Sequence, residues 1–328
     1  MDGWKEYDTC SRCVYSSYTA ISKNQALHNV ENGYCSFCHQ IEGSAGLKYA
    51  QNPDGTYMVT GIGICTDTDI VIGIYNNRSV TSIRSSAFED CNSLTSVTIG
   101  DGVTSIGSSA FYSCTSLTSV VIPDNVTYIG YRAFYECFGL TSVVIGNSVT
   151  SIISGAFYSC YRLVEVVNKS THITITKGVA MNDYTGAYAL VVYNSNSGIT
   201  ESQLRNDNGY IIYTNGNEKI LVGYNGMETD LVLPSYITKI NRYAFYRCKS
   251  LTSMVIPDSV TSIGANSFDY CDSLRNIYYK GTAEEWSNIS FPPYFSISNG
   301  TCYYYSETKP TSSGKYWHYD ENGDIAIW

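Results

Sequence analysis

The chain has 328 residues, of which 44% are hydrophobic and only 15% are charged, whereas an ordinary soluble domain carries about 25% charged residues. Charge-driven disorder is therefore excluded, and the length suits about two domains or one elongated array. The net charge of −9, with 20 Lys and Arg residues that form no run, argues against nucleic acids and anionic membranes as partners. Apolar runs all fall short of the roughly 18 residues of a membrane span. Tyrosine is unusually abundant, with 31 copies against 10 Phe and 4 Trp.

Residues 1–43 contain two C-x-x-C pairs and are interpreted as a small N-terminal Cys-rich module. Two such turns can place four thiolates tetrahedrally around zinc, and their separation is close to that of zinc-ribbon-like structural sites. Two disulfides, which an oxidising compartment would favour, and unoccupied thiols remain as alternatives. The sequence thus predicts one structural zinc ion as the only cofactor, bound by Cys10, Cys13, Cys35 and Cys38.

Residues 44–77 form the next segment and are predicted to cap the array that follows. They contain two strand-like stretches joined by an Asp54-Gly55 turn, which is a hairpin signal, and then a further alternating stretch. An end repeat exposes apolar core and an unpaired strand edge, so a cap is required there.

A 23-residue repeat dominates the rest of the chain and occupies residues 78–166 and 236–283. It reads Val-Thr-Ser-Ile-Gly-x-x-Ala-Phe-x-x-Cys-x-x-Leu-Thr-x-Val-x-Ile-Pro/Gly, and the clearest copy spans residues 103–123. Six copies share one register, which is marked by Phe88, Phe111, Phe134, Phe157, Phe245 and Phe268.

Each repeat is predicted to contain two short strands and a short helical turn. The apolar alternation of Leu117, Val120 and Ile122 is typical of a strand with one buried face, and the β-branched residues 103–106 suggest a second strand. Ser108 is a plausible N-cap for a helical turn over residues 108–114. One unit cannot bury its apolar face alone, so copies stack with parallel strands about 4.8 Å apart. The predicted fold is an α/β, mainly β solenoid.

This pattern resembles the BspA-like, Treponema-type leucine-rich repeats of bacterial surface proteins, over about residues 78–166 and 236–280. It departs from the common leucine-rich repeat because its Cys precedes the strand. The resemblance implies a right-handed leucine-rich-repeat array that is secreted or attached to the cell surface and that serves adhesion or binding without catalytic residues. The first six residues lack the basic and apolar regions of a signal peptide, so the chain is interpreted as either cytosolic or a piece of a longer protein.

The remaining segments are interpreted as parts of one continuous array. Residues 167–235 lack filled repeat columns and are predicted to be degenerate repeats with an inserted β-hairpin, whose turn is Asn215-Gly216. Residues 284–328 are rich in Tyr and Trp, and are predicted to form an aromatic C-terminal cap, with a ligand platform as the alternative.

Two side-chain columns follow from the register. The repeat cysteines (Cys91, Cys114, Cys137, Cys160, Cys248 and Cys271) are predicted to pack as small buried hydrophobes. The residue after the core Phe should face solvent, which predicts a ladder of Tyr112, Tyr135, Tyr158 and Tyr246 as the candidate ligand-binding surface. The alternative is that these rings only cover the edge of the solenoid.

Enzyme motifs for hydrolases, metalloproteases, phosphate-binding loops and dinucleotide-binding loops are absent from the sequence. We therefore predict a non-enzymatic binding or adhesion module, located outside the cell or at its surface, that recognises a protein or a glycan through a repeated face. The alternative is a structural spacer that presents another domain at the cell surface. Neither the ligand nor the oligomeric state follows from the residues.

Overall fold

A computed structural model describes residues 30–31, 34–35, 43–180, 183–292 and 300–328. The chain divides into two compact units, Met1–Ser202 and Gln203–Trp328, and the division falls inside the segment interpreted as degenerate repeats. Most of the predicted Cys-rich module lies outside the described residues.

The described residues of the first unit form short strands and turns, with a 3-10 turn at Ser195–Ser197. In chain order the strands are β1 (Val30–Glu31), β2 (Tyr34–Cys35), β3 (Lys48–Gln51), β4 (Tyr57–Gly61), β5 (Asp69–Ile72), β6 (Val80–Ile83), β7 (Ser96–Ile99), β8 (Ser105–Ile106), β9 (Ser119–Val121), β10 (Tyr128–Ile129), β11 (Ser142–Ile145), β12 (Ser151–Ile152), β13 (Glu165–Asn168) and β14 (Val191–Tyr193).

The second unit has the same character, and its described residues include a short helix, α1 (Ala283–Asn288), which begins with a capping box formed by Thr282 and Glu285. Its strands are β15 (Arg205–Asp207), β16 (Tyr210–Asn215), β17 (Glu218–Tyr224), β18 (Asp230–Val232), β19 (Lys239–Ile240), β20 (Ser253–Ile256), β21 (Ser262–Ile263), β22 (Asn276–Tyr279), β23 (Thr301–Tyr305), β24 (Tyr316–Tyr319) and β25 (Ile325–Ile327).

Within each unit, every repeat contributes one strand to each of two parallel ladders. In the first unit one ladder runs in the order β12-β10-β8-β6-β4, and the other contains β14-β13-β11-β9 together with the pair β5-β7. The register follows the sequence repeat, since Ser105 lies opposite Tyr128 and Ser119 opposite Ser142. In the second unit the ladders are β17-β19-β21 and β18-β20-β22-β23-β24. The prediction of a mainly β solenoid is confirmed.

The predicted helical turn after the first strand of the repeat is wrong. Ser109 and Ser113 have left-handed backbone conformations, with φ of 54° and 58°, which an α-helix cannot accommodate. The N–H groups of Ser109, Phe111 and Ser113 donate at 2.7–2.8 Å to carbonyl oxygens of the following repeat, while those of the residues between them bond locally to the third residue before. The segment is therefore a series of turns that belongs to the stack, because its hydrogen bonds run between repeats instead of along a helix.

The core of each unit is a ladder of phenylalanine rings. Phe111, Phe134 and their neighbours in the column are fully buried or nearly so, and consecutive rings are nearly parallel with centroids 5.1–5.5 Å apart. Rings of the same type can stack in this way because the repeat length is constant, which places each Phe directly over the preceding one.

Four of the six repeat cysteines are buried beside these rings as predicted, whereas Cys91 and Cys248 are only partly buried. The Sγ atoms of Cys114, Cys137, Cys160 and Cys271 each donate at 3.0–3.1 Å to the carbonyl of the Phe one repeat earlier. Complete burial raises the pKa of the Cys137 thiol well above its ordinary value. Cys114, Cys137 and Cys160 are therefore neutral packing groups, since metal binding and redox chemistry both need a thiolate.

The parallel ladders of the two units are preceded by the same arrangement of strands. An antiparallel hairpin, β3-β4 in one and β16-β17 in the other, pairs through its second strand with the first parallel strand of the ladder. The opposite ladder begins with the edge strand β5 in the first unit and β18 in the second, whose first residues are Asp69 and Asp230. Each of these carboxylates accepts hydrogen bonds of 2.5–2.8 Å from a Thr and a Ser of the next repeat. A charged edge residue discourages pairing with other chains. Residues 203–232 thus form a second N-terminal cap.

Tyr49 in the first hairpin should make stability depend on alkaline pH. Burial and the neighbouring Tyr75 and Cys65 raise its pKa from 10.0 to about 12, and its hydroxyl has no hydrogen-bond partner among the described residues. The pKa of Tyr49 is higher in the folded chain than in the unfolded chain, so the protonated hydroxyl favours the folded state over the ionised one. The stability that depends on this protonated hydroxyl is fully present below pH 10 and is lost between pH 10 and about 12.

We expect Tyr49→Phe to leave the free energy of unfolding at neutral pH unchanged or higher by up to about 1 kcal/mol, because an unsatisfied hydroxyl is removed. Its loss of stability between about pH 9 and about pH 11 should be smaller than that of the wild type. Urea unfolding at both pH values measures this, with Tyr128→Phe, on an exposed ring, as the matched control. An equal alkaline loss in wild type and Tyr49→Phe would contradict the assignment.

The C-terminal segment closes the second unit with aromatic side chains. Parallel pairing continues through β22, β23 and β24, and β25 then pairs antiparallel with β24. Trp317 is fully buried, and its indole N–H donates to the Tyr279 carbonyl at 2.8 Å. These rings cover the last repeats, which corresponds to the predicted cap role.

Candidate functional site

The tyrosine column of the first unit lies on the turn segment, directly after the buried Phe. Tyr112 and Tyr135 stack with centroids 5.0 Å apart and an interplanar angle of 3°. Tyr135 and Tyr158 stack at 5.2 Å and 13°. Tyr184 closes the far end by contacting Tyr158 edge-on at 4.5 Å. The structure therefore brings together three of the four predicted site residues, and we call Tyr112, Tyr135 and Tyr158 the tyrosine ladder.

The ladder is accessible to solvent along one side. Tyr112 and Tyr135 are partly exposed, and Tyr158 is 37% exposed. Tyr135 has a ring on each of its two faces. A partner approaching from solvent therefore meets ring edges and hydroxyl groups along the middle of the ladder, because the ring faces are directed at each other.

Charged side chains surround the ladder. The Arg132 guanidinium lies over the rings of Tyr131 and Tyr135, 4.9 and 4.8 Å from their centroids. Burial and the carboxylate of Glu136 raise the pKa of Tyr135, whereas the charge of Arg132 acts in the opposite direction. The hydroxyls of Tyr112 and Tyr135 are therefore neutral at physiological pH and can both donate and accept hydrogen bonds.

Tyr246, the fourth predicted site residue, does not face solvent as expected. Only 8% of it is exposed, and Tyr243 and Tyr270 contact its ring edge-on, at interplanar angles of 84° and 80°. The next repeat carries Asp269 in this column, so there is no ring on which Tyr246 can stack. Tyr270, which is 57% exposed, takes the outer position.

Some neighbours of the ladder were missed by reasoning from the sequence. Tyr131 and Arg132 precede the Ala-Phe pair, in columns that hold other residue types in the neighbouring repeats, so no periodic signal marks them. They are linked to the ladder through the Arg132 guanidinium, which lies over the rings of both Tyr131 and Tyr135.

Two columns of threonines in the first unit have a structural role. Thr104, Thr127 and Thr150 each donate their hydroxyl at 3.1–3.3 Å to the backbone carbonyl of the equivalent Thr one repeat earlier. A second column does the same through Thr118 and Thr141. Because these hydroxyls already bond within the stack, they are weaker candidates for ligand binding than the ladder.

The predicted zinc ligands fall in the part of the chain that is largely outside the described residues. Cys10, Cys13 and Cys38 lie outside the described residues, and of Cys35 only the backbone in β2 is described. Within the described part of the chain, no three His, Cys, Asp or Glu side chains are grouped so that they could hold a metal ion.

The family described as BspA type Leucine rich repeat region matches six copies over residues 72–202 and 224–308. No curated protein matches the sequence. Within the residues described, there is also no helix with the length and hydropathy that a bilayer crossing requires.

Several solved structures are similar to the chain. A leucine rich cell surface protein from Faecalibacterium prausnitzii is 21% identical, covering 76% of this chain and 97% of its own, with a TM-score of 0.30. The T. pallidum leucine rich repeat protein is 16% identical over 72% of this chain and 69% of its own, with a TM-score of 0.24. The pneumococcal vaccine antigen PcpA is 13% identical over 79% and 78%, with a TM-score of 0.28.

Proposed function

We propose that this chain, which belongs to the BspA-type leucine-rich repeat family, is an extracellular or cell-surface module that binds a protein through its tyrosine ladder. Membership of this family makes it a binding or structural repeat protein. The proposal goes further by assigning the binding to the turn face of the first unit. The observation that carries it is the solvent-accessible stack of Tyr112, Tyr135 and Tyr158.

The direction of the rings favours a protein over a glycan. A sugar ring packs against the open face of an aromatic side chain, but both faces of Tyr135 are occupied by the neighbouring rings. Ring edges and hydroxyl groups suit a protein surface, where tyrosine is enriched among the residues that contribute most to binding. Repetition of the same group along the stack also allows several contacts with one extended partner.

The test uses the whole chain on an array of extracellular host and bacterial proteins and, separately, on a glycan array. We expect binding to proteins, and we expect the triple variant Tyr112→Ser, Tyr135→Ser, Tyr158→Ser to weaken it by more than about 100-fold, since each ring is a candidate hot spot. Tyr128→Ser, on the exposed strand β10, is the matched control and should bind like the wild type. Circular dichroism and thermal unfolding verify that the triple variant is folded.

Two outcomes would contradict the proposal. Unchanged binding by a folded triple variant would remove the ladder as the site and favour the structural spacer. Binding to glycans alone, with loss in the triple variant, would retain the ladder but overturn the choice of a protein partner.

The proposed function includes no catalysis. The chain belongs to a repeat family whose fold is typically non-catalytic, and the sequence lacks the nucleophile, metal and phosphate motifs that were sought. Non-covalent binding through the tyrosine ladder requires no activated nucleophile.

We further propose that Cys10, Cys13, Cys35 and Cys38 hold one structural zinc ion, on the basis of their spacing. Protein prepared under reducing, metal-replete conditions should contain about one equivalent of zinc, and Cys10→Ser with Cys38→Ser should remove it. Cys65→Ser, a cysteine outside the four, is the control. Less than about half an equivalent in the wild type, or intact disulfides in the mass spectrum of protein from an oxidising compartment, would contradict zinc binding.

A further inference from the structure

The two ends of the tyrosine ladder differ. At one end Tyr184 covers Tyr158 edge-on. At the other end Tyr112 contacts a ring only on the side of Tyr135, among the residues that the structure describes. The preceding repeat carries Glu89 in this column, so the position where the stack would continue holds a carboxylate in place of a fourth ring.

This end of the ladder is negatively charged. Glu89 and the adjacent Asp90 are both exposed, and neither forms an ion pair among the described residues. The Asp90 N–H donates to the Tyr112 carbonyl at 2.8 Å, so the backbone of the acidic pair lies beside that of Tyr112. Both carboxylates contribute to raising the pKa of Tyr112, after burial and Glu136.

The molecule already contains the kind of contact that such an end can make. Arg132 places its guanidinium over Tyr135, a member of the same column, at 4.8 Å. In the second unit Arg247 lies 5.7 Å from the centroids of both Tyr246 and Tyr270. A planar guanidinium stacks on a tyrosine ring and can at the same time form paired hydrogen bonds with a carboxylate, which an ammonium group cannot do with the same geometry.

We infer that the open end of the ladder, formed by Tyr112, Glu89 and Asp90, receives an arginine side chain of the protein partner. The guanidinium stacks on the uncovered side of Tyr112 and pairs with the two carboxylates, so that it continues the ladder by one step. This inference rests on the proposed function, because it specifies the chemistry of the partner at the same surface. It accounts for an acidic pair at the one end of the ladder that no ring covers.

The experiment selects random peptides displayed on phage against the whole chain, and then measures the best binders by fluorescence anisotropy. We expect the selected peptides to share an arginine. Replacing this arginine by lysine should weaken binding by about 5-fold to 10-fold, because the planar shape of the guanidinium is lost. Replacing it by citrulline should weaken binding by at least about 10-fold, because the positive charge is lost. Glu89→Gln with Asp90→Asn should reduce affinity by a similar factor. Salt should weaken wild-type binding, since the charges lie at the surface.

Asp67→Asn with Asp101→Asn is the matched control, because it removes two carboxylates of the first unit outside the turn segment and changes the net charge equally. This variant should bind like the wild type.

The outcomes separate the inference from the proposed function. Peptides that lose binding to the triple tyrosine variant but contain no arginine, or that bind the Glu89→Gln, Asp90→Asn variant normally, would overturn the inference and leave the ladder as a protein-binding site. Peptides that bind the triple tyrosine variant as well as the wild type would overturn both. Equal loss in the acidic-pair variant and in its control would show an effect of net charge alone, and would also overturn the inference.

Discussion

Replacing Phe134 by Ala should lower the free energy of unfolding of the first unit by about 3–5 kcal/mol. Phe134 is fully buried, and its ring stacks between those of Phe111 and Phe157 at 5.1 and 5.2 Å. The substitution leaves a cavity that interrupts the ladder, and a solenoid transmits stability only between neighbouring repeats. Both adjacent repeats should therefore be weakened together.

Guanidinium unfolding followed by circular dichroism measures the loss, and hydrogen exchange with mass spectrometry locates it. Exchange should accelerate in residues 103–166 and remain unchanged in the second unit. The control is Tyr128→Ala, on a ring that is 40% exposed, which should cost less than about 1 kcal/mol. Similar losses for both variants would contradict the central role of the phenylalanine ladder.

Trp317→Ala should destabilise the second unit by about 3–5 kcal/mol. Its indole is fully buried, contacts the rings of Tyr278, Tyr305 and Tyr319 at 5.0–5.6 Å, and donates a hydrogen bond to the Tyr279 carbonyl. Trp317→Phe keeps an aromatic ring but loses this donor, so it should cost about 1–3 kcal/mol.

Thermal and chemical unfolding of the second unit measure these changes. Ile327→Ala in the neighbouring strand β25, where the side chain is 53% exposed, is the control and should cost less than about 1 kcal/mol. If Trp317→Ala were as mild as this control, the C-terminal segment would not be a cap, and its aromatic residues would be better interpreted as a ligand platform.

Much of the fold could be predicted because the repeat is regular. The constant separation of Phe88, Phe111, Phe134 and Phe157 requires equivalent residues to stack, and alternation in the second half of the unit identifies the buried face of a strand. The two observed ladders and the phenylalanine core follow directly from these patterns.

The turn segment could not be predicted in this way. Spacing of Phe111 and Cys114 suits a helix as well as a series of turns, and neither Ser109 nor Ser113 is a residue type that normally signals a left-handed conformation. Hydrogen bonds to the next repeat decide the outcome, because they replace those that a helix would form along the chain. Such bonds connect residues far apart in sequence, so a local pattern does not contain them.

The candidate site shows the same division. Periodicity placed Tyr112, Tyr135 and Tyr158 in one column, and the structure stacks them. It did not reveal that Tyr246 is buried, since the fate of a column residue depends on the side chain in the next repeat. The second cap was also missed, although Thr68-Asp69 and Thr229-Asp230 begin equivalent strands, because the shared motif is short and its hairpins differ in sequence.

By itself, the sequence determined that the chain is a stacked β array with a Phe and Cys interior, because a strict repeat leaves each unit only its neighbours to pack against. Only the tertiary structure decided how the chain divides into two units, which tyrosines reach solvent, and which end of the ladder is open and acidic. These properties depend on contacts between particular side chains in successive repeats. A column of similar residues in the sequence specifies the order of those side chains along the stack, but not which side chains each of them contacts.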